Sequence, residues 1–203
     1  MTTLAPPMAT LNPVRIRPTP HRFTVAEYAR IVDLGLVPPG PNVEFIRGEI
    51  VHKMAQGILH DRGIERINKL LVRTLPDELS CRCQCSLTLR DSVPIPDFVV
   101  CLPEDRRGGN HPTPGSTFLV IEVADGSLAD DRTEKLELYA ANGIVEYWIV
   151  NLPGECIEVY TGPIAAEMRY DSRVVYGRGQ NVSHATVGLA VSNIPVDSLL
   201  THR

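Results

Sequence analysis

Two apolar runs of this chain are each interrupted by an acid where an aliphatic side chain is expected. In FLVIEVADGS, Phe118 to Ala124 is apolar everywhere except Glu122, and in IPDFVV Asp97 is flanked by Ile95, Phe98, Val99 and Val100. An ionised carboxylate taken out of water without a partner is strongly disfavoured. Two of them on neighbouring strands repel each other unless a cation lies between them. Mg²⁺ suits that arrangement, because it takes hard oxygen ligands and is commonly held by one or two carboxylates, with water and phosphate in the other positions. Either acid alone would also suit a strand-end carboxylate in a hydrogen bond or salt bridge; the pair is what points to a metal.

A third group follows in DDRTEKLELYAAN. At about 100° per residue, Leu136, Leu138, Tyr139 and Ala140 form the apolar arc of a helix, and Asp130, Glu134, Glu137 and Ala141 lie opposite. Lys135 projects into the apolar arc, with Asp131 one turn before it. Its stem could cover apolar surface while the ammonium reaches water. Alternatively the ammonium points back at the two acids, where it can polarise a water or stabilise developing charge on a phosphate.

The elements that must position these groups follow from periodicity. TVAEYARIV has a Thr start signal and reads as a short helix ending near Gly35, before Pro38 and Pro39. NVEFIRGEIVHKM alternates and turns at Gly48, as a strand pair does. Leu59 to Leu75 is helical and is stopped by Pro76. CRCQCSLTLR and PIPDFVVCL read as strands joined at DSVP, so Asp97 is expected inside a strand; EDRRGGNHPTPGS is a loop. The strand holding Glu122, a helix from about Asp130 to Asn142 ended by Gly143, and the strand VEYWIVN form a crossover unit with parallel pairing. CIEVYTG and RVVYGRGQNVSH add strands toward the C-terminus. The expected fold is mixed α/β with one central mixed sheet, with residues 1–22 a flexible Pro-rich tail and 23–203 one domain.

At 203 residues, 43% hydrophobic and 22% charged, the composition is that of a globular protein. No apolar run reaches the roughly 18 to 20 residues that span a bilayer, so no membrane role is expected. Five cysteines, three of them as Cys81, Cys83 and Cys85 in CRCQC, fit a reducing cytoplasm. Their period of two places them on one strand face, yet the spacing is wrong for zinc, and buried reduced thiols are expected. A formal net charge of −4 gives no global footprint for nucleic acid, so such a role rests on local patches or bound metal. One local patch exists: Arg62, Arg66, Lys69 and Arg73 form a stripe opposite Ile64, Ile67 and Leu71, either a solvated face or a ridge for phosphates.

IPDFVV, FLVIEVADGS, DRTEKLELYAANGIVEYWIV and VEFIRGEIV resemble the Uma-two family of restriction-endonuclease-like proteins, a branch of the PD-(D/E)XK nuclease superfamily, over about Phe23 to Tyr160. The resemblance implies a restriction-endonuclease-like core, hydrolysis of DNA phosphodiester bonds, and matching roles for Asp97 after Pro96, for Glu122 and for Lys135. In the superfamily motif the lysine follows the acid by two residues. That position here is Ala124, so the lysine has moved onto the helix. Glu44 and His60 match further family positions, and Ala124 and Asp125 replace the usual Leu-Ser or Ile-Ser pair.

Two functions are therefore expected to compete. In the first, Asp97 and Glu122, with the backbone carbonyl of Val123, hold Mg²⁺ or Mn²⁺ and Lys135 orients the attacking water, in an enzyme that works on DNA as a homodimer with one site for each strand. In the second, the chain keeps the nuclease fold as a non-catalytic binding or assembly module.

Overall fold

In the computed structural model, which describes residues 20–37, 43–53, 56–103, 111–182 and 193–200, Thr24 starts helix α1 (Val25–Asp33) through a capping box. Its hydroxyl accepts from the Glu27 amide at 3.2 Å, and the Glu27 carboxylate accepts from the Thr24 amide at 2.8 Å. Strands β1 (Val43–Ile46) and β2 (Glu49–His52) form a hairpin turned at Gly48, whose φ of 85° suits glycine. Helix α2 (Ile58–Thr74) buries Ile67 and Leu71 and stops ahead of Pro76.

Strands β3 (Ser80–Cys83), β4 (Phe98–Cys101), β5 (Thr117–Ala124), β6 (Glu146–Asn151), β7 (Cys156–Ile164) and β8 (Arg169–Gly177) form a six-stranded sheet in that order. All neighbours are antiparallel except β5 and β6, which the expected helical crossover makes parallel. The crossover consists of α3 (Leu128–Asp130), a π-turn over Asp131–Lys135, and α4 (Leu136–Ala141), ended by Gly143 at φ 73°. Strands β9 (Asn181–Val182) and β10 (Ile194–Pro195) pair with each other, and α5 (Val196–Leu199) follows.

Each sheet face has its own core, as alternation requires. Phe98, Ile121, Val123, Trp148 and Ile157 meet Ile67 and Leu71 of α2 and Leu199 of α5 on one face. Val99, Val120, Tyr147 and Ile149 meet Leu138, Tyr139 and Ala140 of α4 on the other. Gly63 lets α2 approach β5 closely, since a Cβ there would lie 2.9 Å from Val123 Cγ1. No helix among the described residues is long and apolar enough to cross a membrane.

Four expectations change. Among the described residues there are three sheets rather than one, because β1–β2 and β9–β10 pair apart from the main ladder. Asp97 lies one residue before β4 rather than inside a strand. The prolines at 94 and 96 have no N–H to give a ladder, so the pairing around DSVP is reduced to separate bonds, Leu89 N–H to Ser92 O, Leu87 N–H to Pro94 O and Gln84 N–H to Asp97 O, each 2.9 Å. Cys81, Cys83 and Cys85 do not share a strand: β3 ends at Cys83, and Gln84 turns away at φ 48°. Finally, the crossover helix begins at Leu128 and widens into the π-turn. Most of the Pro-rich tail (1–19), Pro38 and Pro39, and residues 104–110 of the expected loop lie outside the described residues.

Glu158 of β7 is fully buried on the α4 face and bound by both Arg132 and Arg173, with the Tyr160 hydroxyl at 2.8 Å and the Asn151 amide at 3.0 Å. Burial alone would raise its pKa, but these donors outweigh it and hold the carboxyl at about 2. A depressed pKa contributes stability that is present above the ordinary Glu value and lost as pH falls toward the folded one. Glu158→Gln is therefore expected to cost about 2 kcal/mol at pH 7, discounted for the half-exposed guanidiniums. Thermal melts of the two proteins should converge as pH falls from about 4.3 to 2.

Candidate functional site

Register brings the two strand acids together. Phe98 pairs with Ile121, so Asp97 and Glu122 stand opposite each other on the α4 face, 2% and 3% exposed. The Asp97 amide donates to Glu122 Oε2 at 3.3 Å, and the Val123 amide, where β4 no longer runs alongside, donates to Asp97 Oδ2 at 2.8 Å. His60 of α2 places Nε2 3.1 Å from the same oxygen, and its buried Nδ1 has no hydrogen-bond partner among the described residues. The Tyr139 hydroxyl of α4 donates to Glu122 Oε1 at 2.6 Å.

Lys135 closes the π-turn and reaches into the same cavity. Its Nζ lies 2.6 Å from Glu44 Oε1 and 3.7 Å from Glu122 Oε1. Leu138 and Tyr139 follow it at α-helical spacing and are buried, which fixes its direction. Glu44, on β1, also accepts from the Ile95 amide at 2.7 Å, so the hairpin carries an acid to the floor of the site. The cavity is about 250 Å³ and is lined by these groups, with Lys53, Asp125 and Asp131 among its other walls.

The charges are unevenly balanced. Burial pushes the Glu122 carboxyl up to about 7 and Asp131 to about 6, even though the Lys135 ammonium draws both down. Asp97 goes the other way: burial opposes its charge, but the His60 hydrogen bond and the Lys53 ammonium outweigh it and lower the pKa. The lysines stay charged. Burial works against each, yet Glu122 with Asp97 raises Lys53, and Glu122 with Glu44 raises Lys135. The floor thus holds four buried carboxylates, Glu44, Asp97, Glu122 and Asp131, against two ammonium groups.

That deficit of positive charge, and oxygen donors alone at Asp97 and Glu122, fit a hard divalent cation. Among the described residues no three His, Cys, Asp or Glu side chains form a ready cage. The fit is therefore to an ion that keeps most of its water, as Mg²⁺ does. A backbone N–H cannot ligate a cation, so any ligand from Val123 is its carbonyl, while its amide donates to Asp97.

The structure brings Asp97, Glu122, Lys135, Glu44, His60 and Val123 into one cavity. It leaves the basic stripe outside: Arg62, Lys69 and Arg73 are exposed, Arg66 is half-buried, and none lines the cavity. Sequence reasoning missed Lys53 and the Tyr139 hydroxyl. Tyr139 read as a core aromatic, although a buried phenol needs a hydrogen-bond partner. Lys53 carried a weak signal only: it shares the parity of Val51 in the alternating hairpin.

The sequence model of the Uma2 family, described as "Putative restriction endonuclease", matches residues 25–196. Among solved structures, the fold is similar to that of "a putative nuclease belonging to DUF820" from Anabaena variabilis ATCC 29413. The TM-score is 0.59 at 15% identity, over 83% of this chain and 96% of that one. No curated protein matches the chain significantly.

The raised Glu122 pKa has a measurable sign. A carboxyl that holds its proton more tightly when folded costs stability as pH rises from the ordinary Glu value to the folded one. Glu122→Gln removes that cost. In metal-free protein its melting temperature should match wild type near pH 4 and exceed it at pH 8, by an amount equivalent to about 2 kcal/mol.

Proposed function

Because the chain belongs to the Uma2 family, we propose that it is a divalent-metal-dependent endonuclease that hydrolyses DNA phosphodiester bonds at the cavity around Asp97, Glu122 and Lys135. The observation that carries this reading is the convergence of two opposed buried carboxylates and a buried lysine in a cavity short of positive charge. Asp97 and Glu122, with the Val123 carbonyl, would hold Mg²⁺ or Mn²⁺. Bound there, such an ion lowers the pKa of a coordinated water and offsets charge on a phosphate.

The remaining roles belong to the chain. Lys135 has a raised pKa and keeps its proton, so its Nζ acts as a hydrogen-bond donor rather than as a base. It can orient a water and stabilise charge on a phosphoryl oxygen. Glu44 fixes that ammonium from the far side, and the Tyr139 hydroxyl fixes the Glu122 carboxylate. His60 does the same for Asp97. Arg62, Arg66, Lys69 and Arg73 offer phosphate contacts along α2, beside the cavity rather than in it. A homodimer would supply one site per DNA strand, residues 23–203 acting as one domain in a reducing cytoplasm.

One observation favours a second reading. The carboxylate oxygens of Asp97 and Glu122 are already served by Lys53, His60, Tyr139 and main-chain amides. A network satisfied this fully would also suit a non-catalytic nuclease-fold module.

Plasmid nicking with Mg²⁺ or Mn²⁺, run beside calorimetric cation titration, separates the two. On the nuclease reading, Asp97→Ala loses both cation binding and cleavage. Lys135→Ala keeps most cation binding but loses about 100-fold or more in rate. Lys135→Arg should rescue poorly, since a planar guanidinium does not fit a position shaped for a compact ammonium. Cleavage by both alanine variants at the wild-type rate would assign the activity elsewhere, and a wild type that neither binds cation nor nicks would leave the module reading.

A further inference from the structure

The cavity holds a second lysine that the roles above leave unused. Lys53 follows β2 directly, its side chain is 17% exposed, and it lines the cavity. Its Nζ donates to the Ile95 carbonyl at 3.0 Å and stands 3.4 Å from Asp97 Oδ1. These contacts differ in kind from those of Lys135, which sits on a carboxylate at 2.6 Å as a charge-balancing ion would. The shorter bond of Lys53 goes to a neutral main-chain oxygen. That bond anchors the ammonium without neutralising it, and its carboxylate contact is long for a hydrogen bond.

The anchor is stiff and shared. Ile95 lies between Pro94 and Pro96, whose rings fix the backbone on either side. Its amide donates to Glu44 Oε1, the same oxygen that holds Lys135, while its carbonyl holds Lys53. One peptide residue therefore sets the positions of both ammonium groups relative to each other and to the acids. An ammonium has three N–H donors, and the contacts found for Lys53 among the described residues use two.

We propose that Lys53 is a second substrate-contacting lysine, whose free N–H donates to a non-bridging oxygen of the scissile phosphodiester, so that Lys53 and Lys135 clamp the phosphate from the Asp97 and Glu122 sides. The proposal rests on the nuclease reading for the identity of the substrate. Lys53 carries its charge next to a candidate cation ligand, and this yields a test in which two readouts move in opposite directions. With Lys53→Met, plasmid cleavage should fall about 30-fold or more. Mn²⁺ affinity, measured by calorimetry without nucleic acid, should tighten about threefold or more, because a like charge beside Asp97 is gone.

If Lys53 only positions Asp97, cation affinity will weaken along with cleavage, and the proposal is overturned; unchanged cleavage overturns it too. A wild type that does not nick defeats the nuclease reading separately. Lys53 is then judged on binding of a thymidine dinucleotide with a phosphorothioate link, followed by ³¹P NMR. Binding that is lost in Lys53→Met supports the phosphate contact. Binding equal in both proteins, or absent from wild type, rejects it. Should Lys53→Met fail to fold in thermal melts, Lys53→Gln, which keeps an N–H for Ile95, replaces it in every arm.

Discussion

Two carboxylates facing each other out of water, on adjoining chain segments, are the constraint to which the surrounding structure responds. Asp97 and Glu122 cannot separate, because the β4–β5 register and the Val123 amide hold them together. Four groups near them supply a donor or a positive charge: His60 from α2, Tyr139 from α4, Lys135 from the π-turn and Lys53 from the end of the hairpin. Helices α2 and α4 and the hairpin also bury apolar surface of their own, so the polar cluster is held by packing and does not hold itself.

The same sheet face contains a control. Glu158 is as buried as Glu122 and sits in an equally apolar strand, CIEVYTG. Yet its carboxyl lies at about 2 where that of Glu122 lies at about 7. Burial disfavours both ions, and only at Glu158 do the donors outweigh it. Two guanidiniums serve Glu158 alone, whereas two ammonium groups are spread over four buried acids in the cavity. The first arrangement is complete and structural. The second leaves a deficit that an arriving cation can fill.

This contrast also marks how far sequence can be read. An acid inside an apolar run identified Glu122 and Asp97, but the same pattern around Glu158 marks a structural ion cluster, and only three-dimensional partners distinguish the two. The mixed sheet, its parallel crossover and the β1–β2 hairpin were legible because strand alternation and the stops at Gly48, Pro76 and Gly143 are local signals. Asp97 was legible as a residue but not in its placement, since prolines at 94 and 96 end the ladder before β4. Lys53 was illegible because its partners, Ile95 and Asp97, lie more than forty positions away. Lys135 was found by assuming a uniform α-helix. That worked because the α-helical part, where Leu138 and Tyr139 set its direction, lies downstream of the widened turn.

The π-turn separates two reference frames within one helix. Downstream, α4 is locked to the sheet by Leu138, Tyr139 and Ala140, and Lys135 is addressed from that side. Upstream, α3 begins in the loop that leaves Glu122 and Ala124, and the Asp131 carbonyl accepts a hydrogen bond from the buried Tyr147 hydroxyl at 3.0 Å. A π-turn carries an extra residue relative to an α-turn, so it acts as a slack link that takes up a change in contour length between strand and helix. The number of residues separating the acid from the lysine is then no measure of the distance between them. A chain one residue shorter there could wind the turn tight and keep the ammonium where it is, so an acid on the strand and a lysine on the helix can meet at more than one spacing along the chain.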